Sequence, residues 1–202
     1  MAKRAKDHPK PSVMINAMVG VLLFIALLAA GFYAYQPFDA QTHSMSPTIN
    51  EGDYVLVSKR AYAFATPQLG DVIVFTIPTW NLQSVGRVVG LPGDRIQMIG
   101  SSLTINGQYI GRAGKDTEYV ETLPNGVKYN TRAPYIGRND YWTPQYLVPQ
   151  GHYFLLGDDR DHSADSRDMD HIGFIAKDDI VGKAIWRFWD GGSQQVDISA
   201  IN

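Results

Sequence analysis

Two hydrophobic textures follow one another along the chain. From Pro11 to Phe38 no residue is charged, and between Val13 and Tyr35 only Asn16 is clearly polar. A helix over 13–35 would be about 35 Å long at 1.5 Å per residue, enough for a hydrocarbon core of about 30 Å. It has no polar stripe to turn towards water, so a buried soluble helix is a poor reading. The run exceeds the h-region of a cleaved secretory signal, roughly 7–15 residues, and no Ala-x-Ala site with a polar flank follows. A retained transmembrane anchor is therefore expected, with Phe32, Tyr33 and Tyr35 as its far aromatic belt.

After Asp39 the period changes to short alternating runs separated by turn residues. Asp53–Lys59, Asp71–Thr76, Val85–Val89, Asp94–Ile99, Tyr153–Leu156 and Ile180–Phe188 read as strands. Leu103–Ile105 and Gln108–Ile110 flank Asn106-Gly107, a two-residue hairpin signal. Further turns stand at Gly90-Leu91-Pro92-Gly93 and Pro124-Asn125-Gly126. No long amphipathic helix follows the anchor. The expectation is an all-β domain of packed antiparallel sheets, barrel-like, on one N-terminal helix. The domain runs over 36–202, and the Gly-, Asn-, Tyr- and Thr-rich stretch 100–148 reads as an inserted lobe.

Charge adds a direction. Lys3, Arg4, Lys6 and Lys10 stand against Asp7 in the first ten residues, while the whole chain of 202 residues has a formal charge of −2. Residues 1–12 therefore read as a cytoplasmic basic tail under the positive-inside rule, which puts 36–202 outside the cytoplasm. An acidic body argues against nucleic acid as a partner and leaves the lipid bilayer. The absence of cysteine excludes thiol catalysis, zinc ribbons and iron–sulfur clusters.

Three clusters bear chemistry. Thr42-His43-Ser44-Met45-Ser46-Pro47-Thr48 begins about seven residues beyond the anchor. The second is Val85-Gly86-Arg87-Val88-Val89-Gly90-Leu91-Pro92-Gly93-Asp94. The third is Gly157-Asp158-Asp159-Arg160-Asp161-His162-Ser163-Ala164-Asp165-Ser166-Arg167. Together they resemble the bacterial type I signal peptidases. Ser-Met-x-Pro-Thr resembles that family's nucleophile box, and Gly52-Asp53-Tyr54-Val55-Leu56-Val57 and Gly70-Asp71-Val72-Ile73-Val74-Phe75 its next strands. Val181-Gly182-Lys183-Ala184 followed by Trp186 resembles the closing strand. The resemblance runs from the anchor to about Trp189.

The resemblance implies a Ser–Lys peptidase in a bacterial cytoplasmic membrane, removing signal peptides from exported preproteins without metal or cofactor. It implies cleavage after small residues one and three before the scissile bond. It makes Ser44 the nucleophile, which needs an adjacent base. Thr42 and the Ser44 N–H become oxyanion donors. Ser163 matches a serine that bonds the lysine, Asp165 and Arg167 a supporting pair, and Arg87 and Asp158 the same supporting shell. The family's lysine stands immediately before Arg-x-Val-Gly-Leu-Pro-Gly-Asp, and here that position is Gly86.

Glycine cannot take a proton, and Arg87 cannot release one usefully. Three readings stay open. Gly86 is a deliberate replacement, a natural loss that leaves a preprotein-binding but inactive protein, or the sign of another base. Candidates for that base are His43, Lys59, His162 and a bound water. His43 neighbours Ser44, so on an extended strand it points to the opposite face, and His162 is the best of the set. Met45 packs near the site or in the core. Trp80, Trp142, Trp186 and Trp189 read mostly as core, with one or two resting on lipid.

Asp159, Asp161, Ser163, Asp165 and Asp170 fall at calcium-loop spacing. Ala164 replaces the required glycine, Asp170 the required glutamate, and Arg160 and Arg167 oppose a cation. A site through His162 and His171 is no better. No metal is expected, and the oligomeric state is not readable.

Overall fold

The computed structural model describes residues 11–100, 102–115, 117–132 and 142–201. Residues 1–10 of the basic tail and 133–141 of the expected lobe lie outside them. One helix, α1 (Pro11–Ala34), precedes strands β1 (Tyr35–Asp39), β2 (Tyr54–Ser58), β3 (Val72–Ile77), β4 (Leu82–Gly90) and β5 (Arg95–Ile99). Then come β6 (Ser102–Ile105), β7 (Gln108–Tyr109), β8 (Gly111–Lys115), β9 (Glu118–Thr122) and β10 (Lys128–Arg132). The chain ends with β11 (Tyr146–Leu147), β12 (His152–Leu156), β13 (Ile175–Ala176), β14 (Ile180–Trp189) and β15 (Ser199–Ala200). The all-β expectation holds: three sheets, with every ladder between these strands antiparallel.

From Ile15 to Ala34 the helix has a mean hydropathy of 2.4 and none of it is buried against the domain, as suits a segment solvated by lipid. It ends at Ala34, and the chain passes directly into β1, so Tyr35 opens a strand opposite Ser58 instead of closing the helix. The Lys59 N–H donates to the Ala34 carbonyl at 2.9 Å, which stitches the helix end to β2.

The main sheet runs β1-β2-β14-β3-β4-β12-β13, with β15 on β14. β2 shows the alternation that its sequence predicts: Val55 and Val57 are fully buried while Tyr54 is exposed. They pack with Met45, Ile49, Val72, Val74, Val85 and Ala184. β3 is buried on both faces, and Ile73 and Phe75 join Val88, Tyr153 and Leu155 in a second cluster. The order β11-β5-β6-β7 forms a second sheet and β10-β9-β8 a third. Ile96, Met98, Leu103 and Ile105 of the second sheet share a core with Leu123 and Tyr129 of the third-sheet hairpin and Phe154 and Leu156 of β12. Asn106 (φ 55°) and Gly107 (φ 79°) both take left-handed conformations, as the two-residue β6–β7 turn requires.

A buried polar network joins the third sheet to the segment after β12. Arg160 donates to both Glu121 oxygens, at 3.1 and 2.6 Å, and the Tyr129 hydroxyl donates to Glu121 at 2.7 Å. Burial pushes the Glu121 carboxyl up, but the Arg160 charge and these hydrogen bonds outweigh it and hold it below the ordinary carboxylate range. Asp165, buried beside Arg167, is held low in the same sense.

A group with a depressed folded pKa contributes stability above its unfolded value, about 4 for a carboxylate, and that contribution is lost as pH falls through the folded value. Glu121→Gln leaves Arg160 buried without its counter-charge and should cost about 3–5 kcal/mol at pH 7. The cost should shrink below about pH 4, where Glu121 of the unfolded chain takes up a proton while the native carboxyl is still held ionised. Urea unfolding of the full chain in detergent from pH 3 to 7 measures both. A loss below about 1 kcal/mol at pH 7 would contradict the analysis.

Candidate active site

Ser44 lies in a turn fixed from both sides. The Ser46 N–H donates to the His43 carbonyl at 2.9 Å and the Ile49 N–H to the Met45 carbonyl at 3.0 Å. Met45 and Ile49 are buried in the core, so Met45 is a core anchor placed next to the serine. Thr48, further along the turn, donates its hydroxyl to Asp158. Asp158 also receives Arg87 Nε and Nη2, each at 2.8 Å, while Arg87 Nη1 donates to the Gly70 carbonyl at 2.8 Å. Arg87 and Asp158 are fully buried, and the guanidinium lies 4.3 Å from the Tyr129 ring centroid. The expected supporting residues thus join β4, the Ser44 turn and the segment after β12.

That segment is a closed loop. The Leu155 N–H donates to Ser166 Oγ at 3.0 Å, and the Ser166 N–H returns to the Leu155 carbonyl at 3.1 Å. The Gly157 N–H donates to Asp165, whose oxygens also receive Arg167 Nε and Nη2 at 2.8 and 2.9 Å. The expected Asp165–Arg167 pair is therefore bidentate. Arg132 of β10 clamps the loop from outside: its N–H donates to the Asp158 carbonyl and its carbonyl accepts from the Arg160 N–H, both at 2.8 Å. At the loop's inner side the Asp159 N–H donates to the Ser44 carbonyl at 3.0 Å. A β-carbon at Gly157 would lie 2.2 Å from Ser163 Oγ and 2.5 Å from the Ser44 carbonyl oxygen, so only glycine lets the two serine segments meet.

Ser44 opens into a cleft of about 550 Å³. It is lined by Pro37 to Thr42, by Ile77, Trp80 and Leu82 to Val85, and by His162 and Ala164. The Thr42 hydroxyl is 3.0 Å from Ser44 Oγ, and the Ser44 N–H points at Thr42 Oγ1 at 3.5 Å. The two expected oxyanion donors are thus neighbours, turned on one another and on the serine.

Gly86 is buried in β4 opposite Ile73. A β-carbon there would stand 3.3 Å from Leu155 Cβ and 3.5 Å from the Phe75 ring, so a side chain would begin between two apolar neighbours. Among the described residues no lysine lines the cleft. Lys59 lies at the helix end and Lys183 pairs with Asp71. His43 Nε2 is 2.8 Å from Glu51 in a largely exposed pair, outside the cleft. Of the side chains considered as replacement bases, only His162 reaches the cleft, and its Nδ1 lies 3.0 Å from Asp159 Oδ1.

The carboxylates of this loop take cationic or backbone partners instead of converging, and no group of three or more His, Asp or Glu gathers at metal distance among the described residues. Sequence reasoning did not single out Asp39, Gln83 or Ser84 as cleft residues, although they stand two or three residues before Thr42 and Gly86. Nor did it assign Asp159 to His162, whose spacing of three in a turn is the signal. Trp80 lines the cleft and stacks on His171 at 5.9 Å, while Trp142 and Trp186 are exposed.

A profile described as Signal peptidase, peptidase S26, matches residues 13–189. The chain belongs to this signal peptidase family. It is 36% identical to a signal peptidase I of Rickettsia typhi, over 98% of this chain and 89% of that protein. A signal peptidase I of Pseudomonas aeruginosa is 34% identical, over 83% and 70% respectively. A solved signal peptidase I of Enterococcus faecalis is 27% identical, over 58% of this chain and 96% of that one, with a TM-score of 0.38.

If Thr42 serves the oxyanion of this signal peptidase site, Thr42→Val should lower kcat by about 10²–10³ with little change in KM, since such donors act on the transition state. Thr42→Ser should retain most of the turnover. Steady-state cleavage of a peptide with an Ala-x-Ala site tests both, and an unchanged kcat for Thr42→Val would remove the residue from the role.

Proposed function

We propose that this chain is a membrane-anchored serine endopeptidase that removes signal peptides from exported preproteins through an acyl-enzyme on Ser44. The observation that carries the reading is Ser44 beside Thr42 in a cleft whose wall starts at Pro37, three residues past the membrane helix. A cleft so close to the bilayer suits a substrate still held in it.

The free strand edges suggest how that substrate lies. β3 pairs with β4 from Leu82 to Arg87, but on the other edge β12 takes up only Arg87, Val88 and Gly90. Among the described residues no strand pairs with that edge from Leu82 to Gly86. β1 ends the order of the main sheet, and Pro37 to Asp39 of β1 and the chain continuing from it also line the cleft. An extended peptide laid along either edge gains main-chain hydrogen bonds without demanding particular side chains. Ser44 Oγ attacks the carbonyl carbon of the bond to be cut. Thr42 Oγ1 and the Ser44 N–H turn from each other to the developing oxyanion. The Arg87–Asp158–Thr48 and Arg167–Asp165 pairs keep the two serine segments in place. No metal or cofactor enters this scheme, and no nucleic acid.

Gly86 favours a second reading, a preprotein-binding protein that does not cleave. The two readings differ in one measurement. Detergent-solubilised chain should process a preprotein, and Ser44→Ala should lower turnover by about 10⁴–10⁶ while still binding the substrate. Binding without turnover in both supports the second reading.

The basic tail supports a topology in which the domain lies outside the cytoplasm. Protease added to intact spheroplasts should then digest 36–202 and spare an epitope placed before residue 12. The reverse pattern would invert the topology.

A further inference from the structure

We propose that His162, oriented by Asp159, is the general base for Ser44 in this chain. The inference rests on the serine peptidase reading above and supplies the group that Gly86 cannot.

Ser44 and His162 line the same cleft. Asp159 is buried, with 4% of its surface exposed, whereas 66% of the His162 side chain is open. Asp159 Oδ1 accepts from His162 Nδ1 at 3.0 Å, from the His162 N–H at 3.2 Å and from the Asp161 N–H at 3.3 Å. These bonds fix the carboxylate, and the carboxylate fixes the ring. A proton on Nδ1 leaves Nε2 with the free lone pair, the tautomer that a base needs. The Asp159 N–H also donates to the Ser44 carbonyl at 3.0 Å, so carboxylate and nucleophile share one stretch of main chain. In the free protein Ser44 Oγ is bonded to Thr42, and a catalytic hydrogen bond often forms only when substrate excludes water.

The proton balance closes without another reagent. Nε2 takes the Ser44 hydroxyl proton as Oγ bonds the substrate carbonyl carbon. The tetrahedral species collapses, the C–N bond breaks, and Nε2 hands that proton to the departing amine. Water then attacks the Ser44 ester and gives a proton to Nε2. The ester C–O bond breaks, and Nε2 returns its proton to Oγ. One peptide bond and one water become an acid and an amine.

The test uses the position where a lysine would make histidine dispensable. The full-length chain in detergent, Gly86→Lys, and His162→Gln and Asp159→Asn in both backgrounds are assayed on one preprotein, with matched thermal unfolding. In the native background His162→Gln should lower kcat at least 100-fold. Asp159→Asn, a positioning residue, should lower kcat at least tenfold with KM unchanged. In the Gly86→Lys background each should cost less than threefold, which a purely structural role would not produce. Equal costs in both backgrounds would overturn the proposal. So would cleavage by Gly86→Lys alone, which leaves the peptidase reading intact and the native chain without a base. Silence from every version would remove the peptidase reading, and this inference with it.

Discussion

The site depends on one buried ion pair. Arg87 on β4 and Asp158 after β12 are both fully enclosed, and each spends its charge on the other through two parallel hydrogen bonds. An isolated charge in such a place is very costly, and the bidentate geometry with Thr48 and the Gly70 carbonyl offsets that cost. The gain is positional. The guanidinium can satisfy Asp158, Thr48 and Gly70 together only if β4, the Ser44 turn and the loop after β12 stand in one arrangement.

The pair is the inner end of a longer network. Tyr129 lies between the Arg87 guanidinium and the Glu121–Arg160 pair, and Arg160 holds the Gly157 carbonyl at 3.0 Å. Arg167 in turn reaches the Arg160 carbonyl at 2.7 Å. The third sheet, remote from the cleft in sequence, thereby shapes the loop that carries Asp159, His162 and Ser163. Buried networks of this kind are satisfied as a whole or fail as a whole. The arginines of the network are what let the loop carry so much buried negative charge.

Two glycines at the site differ in what their surroundings require. Gly86 sits in an ordinary strand position with apolar neighbours, and the ladder to β3 runs through it unbroken. Nothing in the backbone requires glycine there, unlike Gly157, where a side chain would collide with Ser163 and Ser44. The ladder at position 86 is therefore no reason for glycine there, and the base proposed above comes from the loop after β12 instead.

Much was legible in the sequence because it was local. The apolar run, the alternation of Val55 and Val57, and the Asn106-Gly107 turn each depend on neighbours a few residues away, so pattern alone determined the anchor and most strands. The resemblance to the type I signal peptidases, carried by short local motifs, singled out Ser44, Thr42, Gly86 and the acidic loop. Sequence missed β1, because Tyr35 to Asp39 is short, contains Pro37 and becomes a strand only through its pairing with β2. It could not show that His43 spends its ring on Glu51, that Glu121 and Tyr129 support the site from another sheet, or that Asp159 takes His162. The Glu121 and Tyr129 pairings join residues whose distance is decided by packing and buried charge, and even the short-range pairs His43–Glu51 and Asp159–His162 depend on which way a turn points its side chains, quantities that exist only once the chain has folded.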